Sequence, residues 1–250
     1  MLIDTHAHIN MLSAPDDGII EARSAGIDEI IIPAADYRDF EEIIKLCEKY
    51  EKTYALIGVH PEYADEFNDE IAKKIIEFAK HKKVVGIGEI GLDYHYTKEN
   101  KEKQKRCFRT QIHIAKQLNL PVVVHDREAH FDTLEILKEE KVERALLHCF
   151  SGSPEFMFEC TKLGYKIALG GVVTFKNAIV AKEVAQRIDM KDLMLETDCP
   201  YLTPHPFRGQ ENSPKYVGFI AKEIAKLRNI TYDSVCIETS RNAREFFNLI

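Results

Sequence analysis

Short β-rich runs alternate with longer amphipathic runs along the whole chain. Strands are predicted over Leu2–Thr5, Glu29–Ile32, Tyr54–Val59, Val84–Gly88, Pro121–Val124, Arg144–Leu147, Lys166–Leu169 and Leu193–Glu196. Between them apolar residues recur at helical spacing. Phe40, Ile43, Ile44 and Cys47 mark one helix over Asp39–Lys49. Others are predicted over Asp69–Lys80, Lys101–Gln117, Phe131–Glu140, Pro154–Leu163 and Ala178–Arg187. Ser153 followed by Pro154 reads as a cap and a first helical turn. The C-terminal part is helical over Pro214–Leu227 and, after Thr231, over Tyr232–Phe247.

Eight strands joined by helical crossovers predict an α/β fold with a parallel sheet, and eight is the number that closes a (β/α)₈ TIM barrel. The chain has 250 residues, the usual size of such a barrel, and no linker-like tract divides it, so one domain over 1–250 is expected. In these barrels chemistry sits at the C-terminal ends of the strands. His6 and His8 follow the first strand and His60 the third; Glu89 ends the fourth, His125 the fifth, His148 the sixth and Asp198 the eighth. A random scatter would not choose the same end each time. Strand alternation puts His6 and His8 on one face. It also puts Leu146 inward with His148 and Val123 inward with His125, while Cys149 and Asp126 point away. Asp4 and Glu196 share parity with His6 and Asp198, so both are expected inside the barrel, hydrogen-bonded because a buried unpaired charge is costly.

Composition narrows the class. The chain is 45% hydrophobic, with a formal net charge of −7. That argues against broad electrostatic binding of nucleic acid, though not against gripping a few phosphates beside bound cations. Six scattered cysteines without a Cys-x-x-Cys pair read as reduced, buried thiols, and no targeting or membrane segment is apparent. A cytoplasmic location with no obligate protein partner is expected.

Two neighbouring divalent ions need mixed nitrogen and oxygen ligands and a bridging carboxylate. Glu89 is the natural bridge; one ion would take His6, His8 and Asp198, the other His125 and His148. Such a pair polarises a phosphoryl or carbonyl oxygen and activates water. Asp198 is also placed to accept the proton of the attacking water. The donor set suits zinc, manganese or iron and admits magnesium. His60 stands between substrate contact and turn residue, because Pro61 follows it. Arg127 and Arg208 stand between phosphate contact and structural ion pair. Tyr94, Tyr201 and Phe207 could stack on a base or simply pack. His130 is open, while His81, His95, His113 and His205 read as surface or packing residues. Cys149 and Cys199 adjoin ligand candidates without being expected to ligate.

These residues resemble the TatD family of metal-dependent deoxyribonucleases, among the amidohydrolase-like barrels. The resemblance is carried by Asp4-Thr5-His6-Ala7-His8, Gly58-Val59-His60-Pro61, Gly86 through Tyr94, His125-Asp126-Arg127, His148 through Gly152 and Glu196 through Leu202. Arg208-Gly209 through Asn212 and Pro214, then Asn242, also fit, so essentially the whole chain is covered in the family's order. The resemblance implies a dinuclear site of Mg²⁺, Mn²⁺ or Zn²⁺ on His6, His8, Glu89, His125, His148 and Asp198. It implies hydrolysis of DNA phosphodiester bonds, often from a 3′ end, with single-stranded DNA as the expected substrate. Two other readings stand beside it. The same centre could deacylate D-aminoacyl-tRNA, an activity of some similar proteins, or cleave another ester or amide. A non-catalytic metal-binding scaffold would need closed coordination.

Overall fold

The alternation closes into a barrel. The computed structural model describes residues 2–96 and 98–249. Its strands are β1 (Leu2–Asp4), β2 (Ile27–Pro33), β3 (Thr53–Ile57), β4 (Val84–Asp93), β5 (Val122–Arg127), β6 (Ala145–Leu147), β7 (Lys166–Leu169) and β8 (Leu193–Leu195). They form one parallel sheet in sequence order. Cross-ties draw its two edges together. The Thr5 amide and hydroxyl both donate to the Leu195 carbonyl. The Thr197 amide and hydroxyl both donate to the Asp4 carboxylate, and the Asp198 amide donates to the His6 carbonyl.

The barrel is a packed core, not a pore. Ile3, Ile31, Leu56, Val85, Val123, Leu146, Ala168 and Met194, one from each strand, form an inner cluster. Ala243, Phe246 and Phe247 of α9 (Tyr232–Phe247) pack into the same cluster, joining the last helix to the barrel interior. The larger apolar cluster lies between the sheet and the helices α1 (Pro15–Ser24), α2 (Phe40–Lys49), α3 (Asp69–Phe78), α4 (Lys101–Leu118), α5 (His130–Glu139), α6 (Pro154–Lys162), α7 (Ile179–Arg187) and α8 (Val217–Arg228). Among the described residues no helix is long and apolar enough to cross a membrane.

The predicted inward positions of Leu146 and Val123 hold. Asp4 departs from expectation: Ile3 points into the barrel, so Asp4 turns to the β1–β8 seam. Helix α1 carries no strong periodic signal, because its buried positions are only Gly18, Ile19 and Ala22. The run from Pro214 opens with a 3₁₀ turn and becomes α-helical only at Val217.

The larger difference is β4, which runs past Gly88 to Asp93, so Glu89 lies within a strand and does not end one. The β4–β5 register shifts between Ile87 and Ile90, a bulge that re-aims Glu89, and pairing then resumes at Ile90 opposite Val124 and continues with Gly91 opposite His125. Gly91 permits this: its φ is +146°, and a Cβ there would stand 2.0 Å from the His125 carbonyl oxygen. Gly91→Ala is therefore expected to destabilise the fold by about 2 kcal/mol or more. Urea unfolding checks this, and an unchanged midpoint would contradict the account.

Candidate metal centre

Glu89 organises the mouth of the barrel. Its amide donates to the Ala34 carbonyl on the β2 side, and its side chain is almost fully buried. Oε1 lies 2.7 Å from His148 Nε2, 2.8 Å from His125 Nδ1 and 3.5 Å from His60 Nε2. Oε2 lies 3.2 Å from His6 Nε2 and 3.6 Å from His8 Nε2. Each oxygen thus faces its own set of imidazoles.

His6 and His8 converge as expected, but not through strand alternation. Strand β1 ends at Asp4, and His8 already precedes a short 3₁₀ turn. Backbone ties to the loop after β8 place them: the His8 amide donates to the Cys199 carbonyl while the Asp198 amide takes His6. These ties bring Asp198 Oδ1 to 3.6 Å from His8 Nε2 and 3.9 Å from His6 Nε2. The His6 ring stacks on His148 with centroids 3.8 Å apart, joining the two halves. Behind His148, Glu196 Oε1 lies 3.7 Å from Nδ1 and also accepts from the Cys149 amide. The inward, hydrogen-bonded position predicted for Glu196 holds.

His125 lies between two carboxylates, with Nδ1 toward Glu89 and Nε2 at 3.0 Å from Asp93 Oδ2. His60 is buried beside it, the rings edge to face at 4.3 Å. The Glu62 amide donates to His60 Nδ1, so the ring's remaining hydrogen sits on Nε2.

Burial opposes every charge in this pocket, yet the partners decide the outcome. Burial would lower His125, but its bonds to Asp93 and Glu89 hold it up at about 9. His148 is likewise raised by Glu89 and Glu196 against burial. Burial would raise Glu89, but His148, His60 and His6 hold it well down. Asp198 is lowered against burial by His8 and its neighbours. For His60 burial and His125 outweigh Glu89 and Asp93 and bring it down to about 3. Burial pushes Asp4 up to about 8 despite its bonds from Thr197.

The donor set fits divalent metal. Among the described residues three triads have ligand atoms within 4.8 Å of one another: His6, Glu89 and His148; His6, His8 and Asp198; His60, Glu89 and His125. Mixed imidazole and carboxylate donors of this kind suit borderline divalent ions.

The remaining predicted residues divide. Arg127 is exposed, its guanidinium 4.8 Å above the Tyr96 ring. Arg208 packs 4.0 Å over Phe175 and donates to the Thr203 carbonyl, so packing occupies much of it. Tyr94 is not available for stacking, because it is buried with its hydroxyl on Asp132. Phe207 stacks on Tyr216, while Tyr201 stays exposed near His8. His130 bonds Asp126 and stacks on Phe156, away from the centre. His81, His95 and His113 pair with Glu48, Glu128 and Glu140 at the surface.

Three supporting residues escaped the sequence reading. Asp93 backs His125. Gln104 and Gln111, both buried on α4, clamp the backbone of Asp93 and Val59 through amide and carbonyl alike. Polar residues seven apart on the apolar face of α4 were the available signal, since a buried amide must find partners.

A family model described as TatD related DNase matches residues 3–248. The chain is 43% identical to an uncharacterized metal-dependent hydrolase, YabD, of Bacillus subtilis, over the full length of both. It is 34% identical to the metal-dependent hydrolase YcfH of Escherichia coli, covering 99% of this chain and 96% of that one. Among solved structures, the TatD homologue YjjV of Escherichia coli superposes with a TM-score of 0.94 at 30% identity, covering 100% of this chain and 98% of that one.

Metal loading should expel protons, since His125 and His148 hold theirs in the metal-free protein. Zinc titration by calorimetry near neutral pH, in two buffers of different ionisation heat, is expected to report release of about two protons. Heats independent of the buffer would contradict it.

Proposed function

Because this chain belongs to the TatD family of metal-dependent hydrolases, we propose that it is a metal-dependent deoxyribonuclease acting on single-stranded DNA, from a 3′ end, with two divalent ions. The observation that carries the reading is the split environment of Glu89. One oxygen serves His125 and His148, and the other serves His6 and His8 beside Asp198. That is the arrangement a bridging carboxylate requires. His6, His8 and Asp198 would hold one ion, His125 and His148 the other, with Mg²⁺, Mn²⁺ and Zn²⁺ the candidates. When bound, such a pair stabilises charge on the phosphoryl oxygens and on the attacking oxygen.

The chain's own residues supply the rest. Asp198, at the open side of the cluster and held ionised by His8, takes the proton of the attacking water on Oδ2 or Oδ1. His60 does not serve as a third ligand in this reading. Its Nδ1 accepts from Glu62, and its neutral Nε2–H is left to donate to a phosphoryl oxygen that gains charge. Arg127, exposed at the rim, offers a planar donor to the neighbouring phosphate, and Tyr201 offers a ring to a base. Arg208 has the weaker claim because its guanidinium is already packed on Phe175.

End-labelled single-stranded DNA and metal-stripped protein test this. Adding back Mg²⁺, Mn²⁺ or Zn²⁺ is expected to give a ladder from the 3′ end, absent in Glu89→Ala and Asp198→Ala. No cleavage with any metal, together with hydrolysis of a D-aminoacyl-tRNA or a simple ester, would reject the nuclease and keep the hydrolase.

A separate expectation concerns His60. His60→Ala should lower kcat by about 10²-fold while metal stoichiometry stays unchanged. Loss of a bound ion in that variant would make His60 a ligand instead.

A further inference from the structure

Asp93 is a buried carboxylate that the proposed chemistry does not use. Its two oxygens have separate duties. Oδ1 accepts the amides of His95 and Tyr96, each at 2.8 Å. Oδ2 faces His125 Nε2 at 3.0 Å. The residue itself is held from behind: Gln104 Oε1 accepts the Asp93 amide and Gln104 Nε2 donates to the Asp93 carbonyl. Strand pairing adds a further restraint, since Asp93 lies opposite Arg127 in the β4–β5 ladder. The carboxylate therefore cannot turn away from the imidazole without breaking backbone bonds.

We infer that Asp93 is a positioning residue that fixes the tautomer of His125, keeping hydrogen on Nε2 so that Nδ1, the atom facing Glu89, presents its lone pair to a metal ion. A carboxylate is an acceptor only, so Nε2 must donate to it. A neutral imidazole that donates through Nε2 has its lone pair on Nδ1. The orientation follows as well, because the ring is held at both nitrogens along one line, from Asp93 to Glu89. Outer carboxylates that set the tautomer of a ligand histidine are a general device in metal sites. Here the device extends one step further, to a helix: Gln104 on α4 places the carboxylate, and the carboxylate places the ring.

The inference rests on the proposed role of His125 as a ligand, and the pattern of backbone bonds separates it from simple packing. In Asp93→Asn the amide oxygen must stay at the Oδ1 position, where two backbone N–H groups donate. The NH₂ then faces His125 Nε2 and forces it to accept, which moves the ring hydrogen to Nδ1. Asp93→Ala removes the constraint without inverting it. A tautomer role therefore predicts that Asn is worse than Ala, and a packing role predicts the reverse, because Asn keeps the shape and the backbone bonds.

The experiment is competitive zinc titration against a chromophoric chelator for wild type, Asp93→Asn, Asp93→Ala and His125→Ala, with circular dichroism for folding. Asp93→Asn is expected to weaken one of two zinc sites by about 10- to 100-fold, and Asp93→Ala by less. His125→Ala should lose that same site. An Asn effect equal to or smaller than the Ala effect overturns the inference while leaving His125 as a ligand. Unchanged binding in His125→Ala overturns both the ligand reading and the inference. A readout on the unaltered protein stands even if a variant fails to fold. In two-bond ¹H–¹⁵N spectra of the zinc-loaded wild type, the His125 proton is expected on Nε2, and a proton on Nδ1 overturns the inference.

Discussion

The buried carboxylate of Glu89 is the constraint on which the mouth of this barrel depends. An ionised group taken out of water costs several kcal/mol unless it is paired and hydrogen-bonded. Five imidazole nitrogens from four strand ends approach it, three at one oxygen and two at the other. The strand that carries it must also bulge at that point, and the bulge is accommodated by Gly91, whose backbone no residue with a Cβ could copy beside His125. Fold and chemistry thus meet in one peptide segment. The same residues that break the ladder are those that aim the carboxylate at the barrel axis.

Around that centre, short polar side chains do what regular pairing cannot. Among the described residues seven strand pairs are joined by parallel ladders, but the eighth junction is made by Thr5, Thr197 and Asp4, whose bonds tie the ends of β1 and β8 and the residues just after them to one another. Asn212 extends the same tie, donating to the carbonyls of Thr197 and Tyr201. Gln104 and Gln111 act as isolated pieces of strand, each satisfying one residue's amide and carbonyl at the end of β4 and just after β3. Rigid placement matters here because an error of about 1 Å in a catalytic group costs orders of magnitude in rate.

The barrel and the ligand cluster were readable from the chain for one reason. Parallel strands buried on both faces write unbroken apolar runs, and a barrel puts its chemistry at one end of each run, so His6, His148 and Asp198 stand out by position, as do Glu89 and His125 at the predicted strand ends, although β4 and β5 run on past them. What lay hidden depends on contacts rather than periodicity. Helix α1 buries too few apolar residues to show a stripe. The extension of β4 to Asp93 is masked by the glycines at 86, 88 and 91, which weaken any strand pattern. The reach of His6 and His8 comes from ties to Asp198 and Cys199 nearly two hundred positions away, although alternation along a strand predicts the same convergence. Tyr94 and Phe207 look like rim aromatics in sequence, and only packing reveals that Asp132 and Tyr216 already occupy them.

The electrostatics of the cluster also explain how the barrel can exist before a metal arrives. Without ions, the negative charges of Glu89, Asp198 and Asp93 would repel one another across a buried pocket. His125 and His148 answer by holding protons that isolated imidazoles would release near neutral pH. Those protons occupy the position in the charge balance that divalent ions take on loading. His60 shares the pocket without adding to this proton balance, because burial and His125 keep it neutral in the metal-free protein. One carboxylate with its imidazoles therefore separates two kinds of histidine: His125 and His148, whose protons it helps to hold, and His6 and His60, which burial lowers.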